Sequence, residues 1–283
     1  MAVKAVQQIM LGGVCKNEAQ TLSTLKAVKA AGYDGLELNG FMIRPTSLMV
    51  RMMTRAAGMP VGAGGNFDWR EMLREAGLCT VSLHEDLGSV KKDPEAVIQK
   101  ASELGTDKVV ITGMYRFDYS DRKAVEDLAK DLNASGERLA KAGIGLLYHN
   151  HNCEFRKVEK NRTAYDMLIE ETDSRYVNFE LDSYWPTEAG VSAVALMKRL
   201  GERMRLYHIN DRGTKVTGPS MTPILKSDSM ELGYGNMNLE ELITQALSVN
   251  VDAVILESHK NWAEKSPVKS LQMSAAFLKE HMN

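Results

Sequence analysis

The chain has 283 residues, 44% of them hydrophobic and 25% charged, with a formal net charge of -2. That is enough for a large core, and the near-neutral balance without a long basic run argues against a nucleic-acid partner. Cys15, Cys79 and Cys153 lie far apart with no CxxC pair, which argues against a disulfide framework and a structural zinc site.

No apolar run of roughly 18 residues occurs, so no membrane span is expected. The opening MAVKAVQQIMLGG reads as a strand rather than a signal peptide. A soluble, cytoplasmic protein is the expectation. The 17 methionines fall mostly at helical spacing and read as core filling.

In chain order, Val3–Met10 is the first predicted strand, and Glu18–Ala31 the first helix, with Leu22, Leu25 and Val28 at helical spacing before Gly32. Asp34–Leu38 is a second strand. Helices over Thr46–Ala57 and Asp68–Ala76 flank a glycine-rich break, Gly58–Asn66. Cys79–His84 is a strand, Pro94–Leu104 a helix, Lys108–Thr112 a strand and Asp121–Ala142 a long helix. Ile144–His149 is the fifth strand, followed by helix Thr163–Glu171. Val177–Leu181 and Val191–Leu200 form the sixth unit, and Met204–Ile209 the seventh strand. A polar connection, Asp211–Gly235, leads to helix Leu239–Ser248, strand Ala253–Glu257 and helix Pro267–His281.

Strands alternating with helices imply parallel βαβ units. Eight such units with no linker predict an α/β chain folded as a single (β/α)8 TIM barrel over residues 1–283. The dinucleotide fold wants GxGxxG after its first strand, and Gly12-Gly13-Val14-Cys15 is not that motif.

The chemistry collects at strand ends, where a barrel builds its site. Five of the six histidines (His84, His149, His151, His208 and His259) sit at or just past an apolar run. Residues two apart in a strand share a face, so Asp182 follows Glu180, His208 follows Leu206 and Glu257 follows Ile255. On neighbouring strands these three would converge as one imidazole and two carboxylates, suited to Mn2+, Mg2+, Co2+ or Zn2+. Strand five offers His149, His151 or Glu154 as a fourth donor.

Blander roles compete with these. A lone carboxylate at a strand end also serves as a helix N-cap. Glu180, one layer deeper than Asp182, reads as a partner to the donors rather than a donor. Glu37 and His84 either contact a bound polyol or anchor loops. Trp185 and Trp262 either stack on a sugar or cap the barrel. His259 reads as a substrate or surface group. Asp211, Arg212 and Lys215 are either substrate contacts or a solvated loop. Cys153 lacks an activating partner.

GYDGLEL, EAGLCTVSLH, LLYHNHNCEF, ELDSYWPTEAG, LYHINDRG, LGYGNMNLEEL and LESH with SPVKSLQMSAAFLK together resemble the sugar phosphate isomerase/epimerase family, with its xylose-isomerase-like barrel. The resemblance covers nearly the whole chain, and is most specific in the YHNHxxEF and LDxYW stretches. It implies one divalent metal, often Mn2+, held by Asp182, His208 and Glu257 with Glu154 as the fourth ligand. It departs from the family at Asn210, where close relatives often carry Lys.

The resemblance also implies a sugar or keto-sugar substrate and proton abstraction through a metal-stabilised enediolate, with His149, His151 and Glu154 as candidate acid–base groups. Reprotonation gives an isomerase or an epimerase. Loss of a β-substituent gives a lyase or dehydratase on a keto-inositol or 3-keto-glycoside. A non-catalytic barrel serving as a subunit of a complex, and a homo-oligomer, are the remaining expectations. A DNA-repair endonuclease on this barrel would need more metal ligands and a basic groove, which a net charge of -2 disfavours.

Overall fold

The computed structural model describes residues 2–45, 49, 52, 67–215 and 218–282. Eight parallel strands close a barrel: β1 Val3–Gln7, β2 Gly35–Asn39, β3 Cys79–Glu85, β4 Lys108–Ile111, β5 Gly145–His149, β6 Val177–Asp182, β7 Met204–Ile209 and β8 Ala253–Leu256. They pair in chain order, and β8 pairs with β1 through Ala5 opposite Ile255.

The main outer helices are α1 Glu18–Ala31, α2 Trp69–Ala76, α3 Pro94–Leu104, α4 Arg122–Ala140, α5 Ala164–Glu171, α6 Ala193–Leu200, α7 Leu239–Ser248 and α8 Pro267–His281. Among the described residues no helix is long and apolar enough to cross a membrane. Apart from Met49 and Met52, the expected helix Thr46–Ala57 and the break Gly58–Asn66 lie outside the described residues.

Local chemistry sets the helix ends. The Asn17 side chain accepts from Gln20 N at 2.9 Å, and Gly32 closes α1 at φ +105°. Thr163 and Asp166 form a reciprocal capping box at the start of α5. Gly136 lets α4 lie close to the chain entering β6, because a Cβ there would stand 2.4 Å from the Tyr176 carbonyl oxygen. The Tyr33 hydroxyl donates to the Leu271 carbonyl at 2.9 Å, tying the last helix to the turn after α1.

Alternation divides the strands into two apolar shells. Outward residues such as Leu36, Leu83, Tyr148, Phe179 and Tyr207 pack with the helices. Ala5, Val81, Val110, Leu147, Leu206, Ala253 and Ile255 plug the barrel interior. Two bulges interrupt the alternation. Leu36 pairs with Thr80 but Glu37 with Ser82, leaving Val81 as an extra residue in β3. Phe179 pairs with Met204 but Glu180 with Leu206, leaving Arg205 as an extra residue in β7. Both bulges lie below the polar ends of their strands.

The expected first strand, Val3–Met10, stops at Gln7. The Gln7 side chain accepts from Ile9 N at 2.6 Å, and Gln8–Leu11 turns into a 3-10 helix. The expected polar connection after β7 contains a short hairpin, Asp211–Gly213 against Asp228–Met230.

Candidate metal centre

The carboxyl ends of the strands open into a cavity of about 390 Å3. One wall carries His84, His149, His151 and Glu257. Met10, Phe41 and Trp262 add apolar lining, and the amides of Gln7 and Asn39 polar lining. Those amides bond to each other at 2.8 and 3.2 Å.

Each inward donor continues an inward apolar position one step below it. His149 stands above Leu147, His208 above Leu206 and Glu257 above Ile255, while β6 supplies both Glu180 and Asp182. His149, Asp182, His208 and Glu257 are all buried, and each offers a ligand atom within 4.8 Å of the others'. A second group of the same kind, His84, His149, Glu180 and His208, shares two of these rings one layer lower. The upper set gives two imidazoles and two carboxylates, a donor set that fits a borderline or hard divalent ion.

Charge supports that fit. Among the described residues no Lys or Arg pairs with Glu37, Glu180, Asp182 or Glu257. Burial and the Glu257 charge push the Asp182 carboxyl up to about 6. Burial also disfavours ionised Glu257, yet His208 and His259 outweigh it and hold that carboxyl well below its ordinary range. Burial likewise opposes charge on His84, but Glu37 and Glu180 override it and raise the ring to about 10. With no Lys or Arg beside them, Asp182 and Glu257 have only imidazoles to balance their charge.

The structure places the expected residues unevenly. Asp182, His208 and Glu257 come together, and from strand five it is His149 that joins them. Glu154, expected as the fourth ligand, is not among them. It sits in the turn Cys153–Phe155, on the outer side of the barrel wall. There it is fully buried and accepts from the outward Tyr148 hydroxyl at 2.9 Å, from His151 N at 2.9 Å and from the Cys153 thiol at 3.2 Å. The turn directs its carboxylate at the wrong shell.

His151 lines the cavity with its ring 5.0 Å from His149 and 5.5 Å from Trp185. Burial holds it down, to about 3, so the ring is neutral. Trp185 lies between His151 and His259, the latter ring at 6.4 Å. His259 is on the cavity wall, half exposed, and 3.8 Å from Glu257. Glu37 is fully buried, bonded to Ser82 and His208.

Asp211, Arg212 and Lys215 do not line the cavity. The Asp211 carboxylate instead accepts from four backbone amides, Arg212 at 2.7 Å, Gly233 at 3.0 Å, Gly235 at 2.8 Å and Met237 at 3.2 Å. Gly235 permits this approach, since a Cβ would meet Asp211 at 2.3 Å. Arg212 lies over the Tyr184 ring at 5.7 Å, and Lys215 donates to the Asn261 carbonyl at 3.0 Å. Burial and the Glu154 charge push the Cys153 thiol up to about 12, which removes it as a nucleophile. Gln7 and Asn39 escaped the sequence reading, although both end their strands on the inward face.

The xylose isomerase-like TIM barrel family matches residues 25–281, from within α1 through α8. The chain belongs to that family. Over 97 residues it is 31% identical to inosose dehydratase from Mesomycoplasma hyopneumoniae strain 7448. That stretch is 33% of this chain and 30% of the relative, so the chain spans under a third of the curated relative it matches. A sugar phosphate isomerase/epimerase from Parabacteroides distasonis ATCC 8503 superposes with a TM-score of 0.73 at 22% identity, covering 98% of this chain and 93% of that one. A family member from Mycobacterium smegmatis, solved in complex with magnesium, superposes with a TM-score of 0.64 at 14% identity, covering 100% and 97%. At these identities the likeness is one of fold.

Proposed function

We propose that the chain is a divalent-metal-dependent isomerase or epimerase of a sugar or keto-sugar. The observation that carries this is the convergence of His149, Asp182, His208 and Glu257 beneath a cavity of about 390 Å3. Mn2+ is the ion of choice in this reading, and Mg2+, Co2+ or Zn2+ suit the same donors. A bound ion would supply Lewis-acid polarisation of a substrate carbonyl or hydroxyl, making the neighbouring C–H acidic.

The chain's own groups supply the rest. With His149 in the donor set, His151 is the candidate base, because its ring stands on the cavity wall where the carbon beside the carbonyl would lie. Returning that proton to the other carbon isomerises the substrate. Delivery of a second proton, from His259 at the mouth to the opposite face of the same carbon, epimerises it while His151 keeps the first. The Gln7 and Asn39 amides face substrate hydroxyls, and Trp262 offers an apolar face to the ring's C–H bonds.

The test is to strip the protein with a chelator, reload it with Mn2+ and incubate it with a panel of keto-sugars in D2O. The expected result is deuterium in recovered substrate together with an epimer or an aldose–ketose partner. A protein that binds no divalent ion and exchanges no deuterium overturns this reading. The stretch of identity to inosose dehydratase favours a second reading, a lyase or dehydratase on a keto-inositol or 3-keto-glycoside. Release of water or an aglycone in the same incubation selects it.

A further inference from the structure

Two fully buried carboxylates lie directly below the donor set. Glu180 Oε2 is 2.9 Å from His149 Nδ1, 3.0 Å from His84 Nε2 and 3.3 Å from His208 Nε2. Glu37 Oε2 is 2.6 Å from His208 Nε2 and 3.0 Å from His84 Nε2. The other Glu37 oxygen accepts from the Ser82 hydroxyl. With no Lys or Arg paired to either carboxylate among the described residues, the imidazoles and this hydroxyl are their donors.

An ionised carboxylate only accepts hydrogen bonds, and a neutral imidazole carries one proton. A ring nitrogen bonded to such a carboxylate must hold that proton, so the ring's other nitrogen presents the lone pair. The two shared rings turn opposite nitrogens toward these carboxylates. His149 commits Nδ1 to Glu180 and keeps Nε2. Both His208 nitrogens face a carboxylate, Nε2 that of Glu37 and Nδ1 that of Glu257 at 3.0 Å; only Glu257 is in the upper set, so only Nδ1 opens toward an ion held there.

We propose that Glu37 and Glu180 are positioning residues that fix the ligating atoms, so that the ion is held through Nε2 of His149 and Nδ1 of His208. The proposal rests on the reading that His149, Asp182, His208 and Glu257 hold the ion. It also chooses between the two overlapping donor groups. The lower one offers a single carboxylate, and each of its three ring nitrogens is already bonded to Glu180 or Glu37, so the upper set, with two carboxylates, is the one open to an ion. His84 then belongs to the cage, with its Nε2 shared between the two glutamates and its ring stacked 5.9 Å from His208.

The experiment uses the full chain, 15N-labelled at histidine and titrated with Zn2+ alone. Long-range 1H–15N correlation spectra assign the bonded nitrogen of each ring. Expected are a zinc-bound Nε2 on His149 and a zinc-bound Nδ1 on His208, each with a protonated partner nitrogen. Zinc on His149 Nδ1 or on His208 Nε2 overturns the proposal while leaving the metal reading intact. No stoichiometric zinc binding by the wild type overturns both. In Glu180→Gln and Glu37→Gln, Zn2+ affinity should fall about 10–100-fold with an unchanged circular dichroism spectrum. Unchanged affinity in both folded variants overturns the positioning role.

Discussion

His149 and Glu180 face each other across two adjacent strands, with Nδ1 and Oε2 2.9 Å apart and both side chains buried. The contact joins an upper layer rich in ligand atoms to a lower layer of acceptors. Most of the expected behaviour follows from keeping those layers distinct.

Asp182 should trade metal affinity against metal-free stability. Asp182 is pushed up to about 6 from an ordinary 3.8. A carboxyl raised on folding costs stability once pH passes its unfolded value, and the cost is complete above the folded one. With chelator at pH 7, Asp182→Asn should therefore melt higher than wild type, by on the order of 1–3 kcal/mol. The gain should vanish below about pH 4, where both forms of the wild type are protonated. The same variant should bind Mn2+ at least roughly 100-fold more weakly by calorimetry. A variant that melts lower at pH 7 and binds Mn2+ normally contradicts both halves.

Glu154 should behave as a structural group. Glu154→Gln keeps the shape but sets an amide NH2 among donors, leaving one or more unpaired, at a cost of about 1–3 kcal/mol in denaturant unfolding. Its Mn2+ affinity should stay within about threefold of wild type. A loss comparable to that of Asp182→Asn would return Glu154 to the ligand set.

Asp211 should hold the long loop after β7. Asp211→Ala leaves four backbone amides without their acceptor, and a few kcal/mol of loop stability should go with it. Hydrogen exchange read by mass spectrometry should accelerate in peptides covering Gly233–Met237, while the barrel strands keep their protection. Unchanged exchange there rules out the clamp.

Leu147→Ala should open a void in the inner plug, where Leu147 is 2% exposed. Loss of a buried leucine in a tightly packed interior costs about 2–5 kcal/mol. The position lies one inward step below His149, so Mn2+ affinity should drop as well. A stability loss with unaltered affinity would show that the donor layer does not depend on the plug.

The barrel was legible in the sequence because each strand–helix unit carries its own punctuation. Asn17 and Thr163 start helices, and Gly32 and Gly105 stop them. Asp182, His208 and Glu257 were legible because period-two counting works near the ends of β6, β7 and β8. Strand five was harder. LLYHNHNCE offers three donors within six residues, and the tight turn at Cys153–Phe155 decides which of them faces inward. That turn has no signature in local composition. Asp211 misled for a different reason: an acid in a polar loop looks the same whether it meets a substrate or gathers amides from residues more than twenty positions away.

The extra residues Val81 and Arg205 give β3 and β7 one position more than their ladders use. Arg205, exposed on the barrel's outside, is a spare, whereas Val81 also plugs the interior. Deleting Arg205 would leave Leu206 inward, Tyr207 outward and His208 inward, because the lost residue takes the bulge with it. A one-residue deletion within unbulged β5 has no such slack and would turn His149 toward the helices. The barrel is thus unevenly tolerant of length change, forgiving beneath His208 and brittle beneath His149.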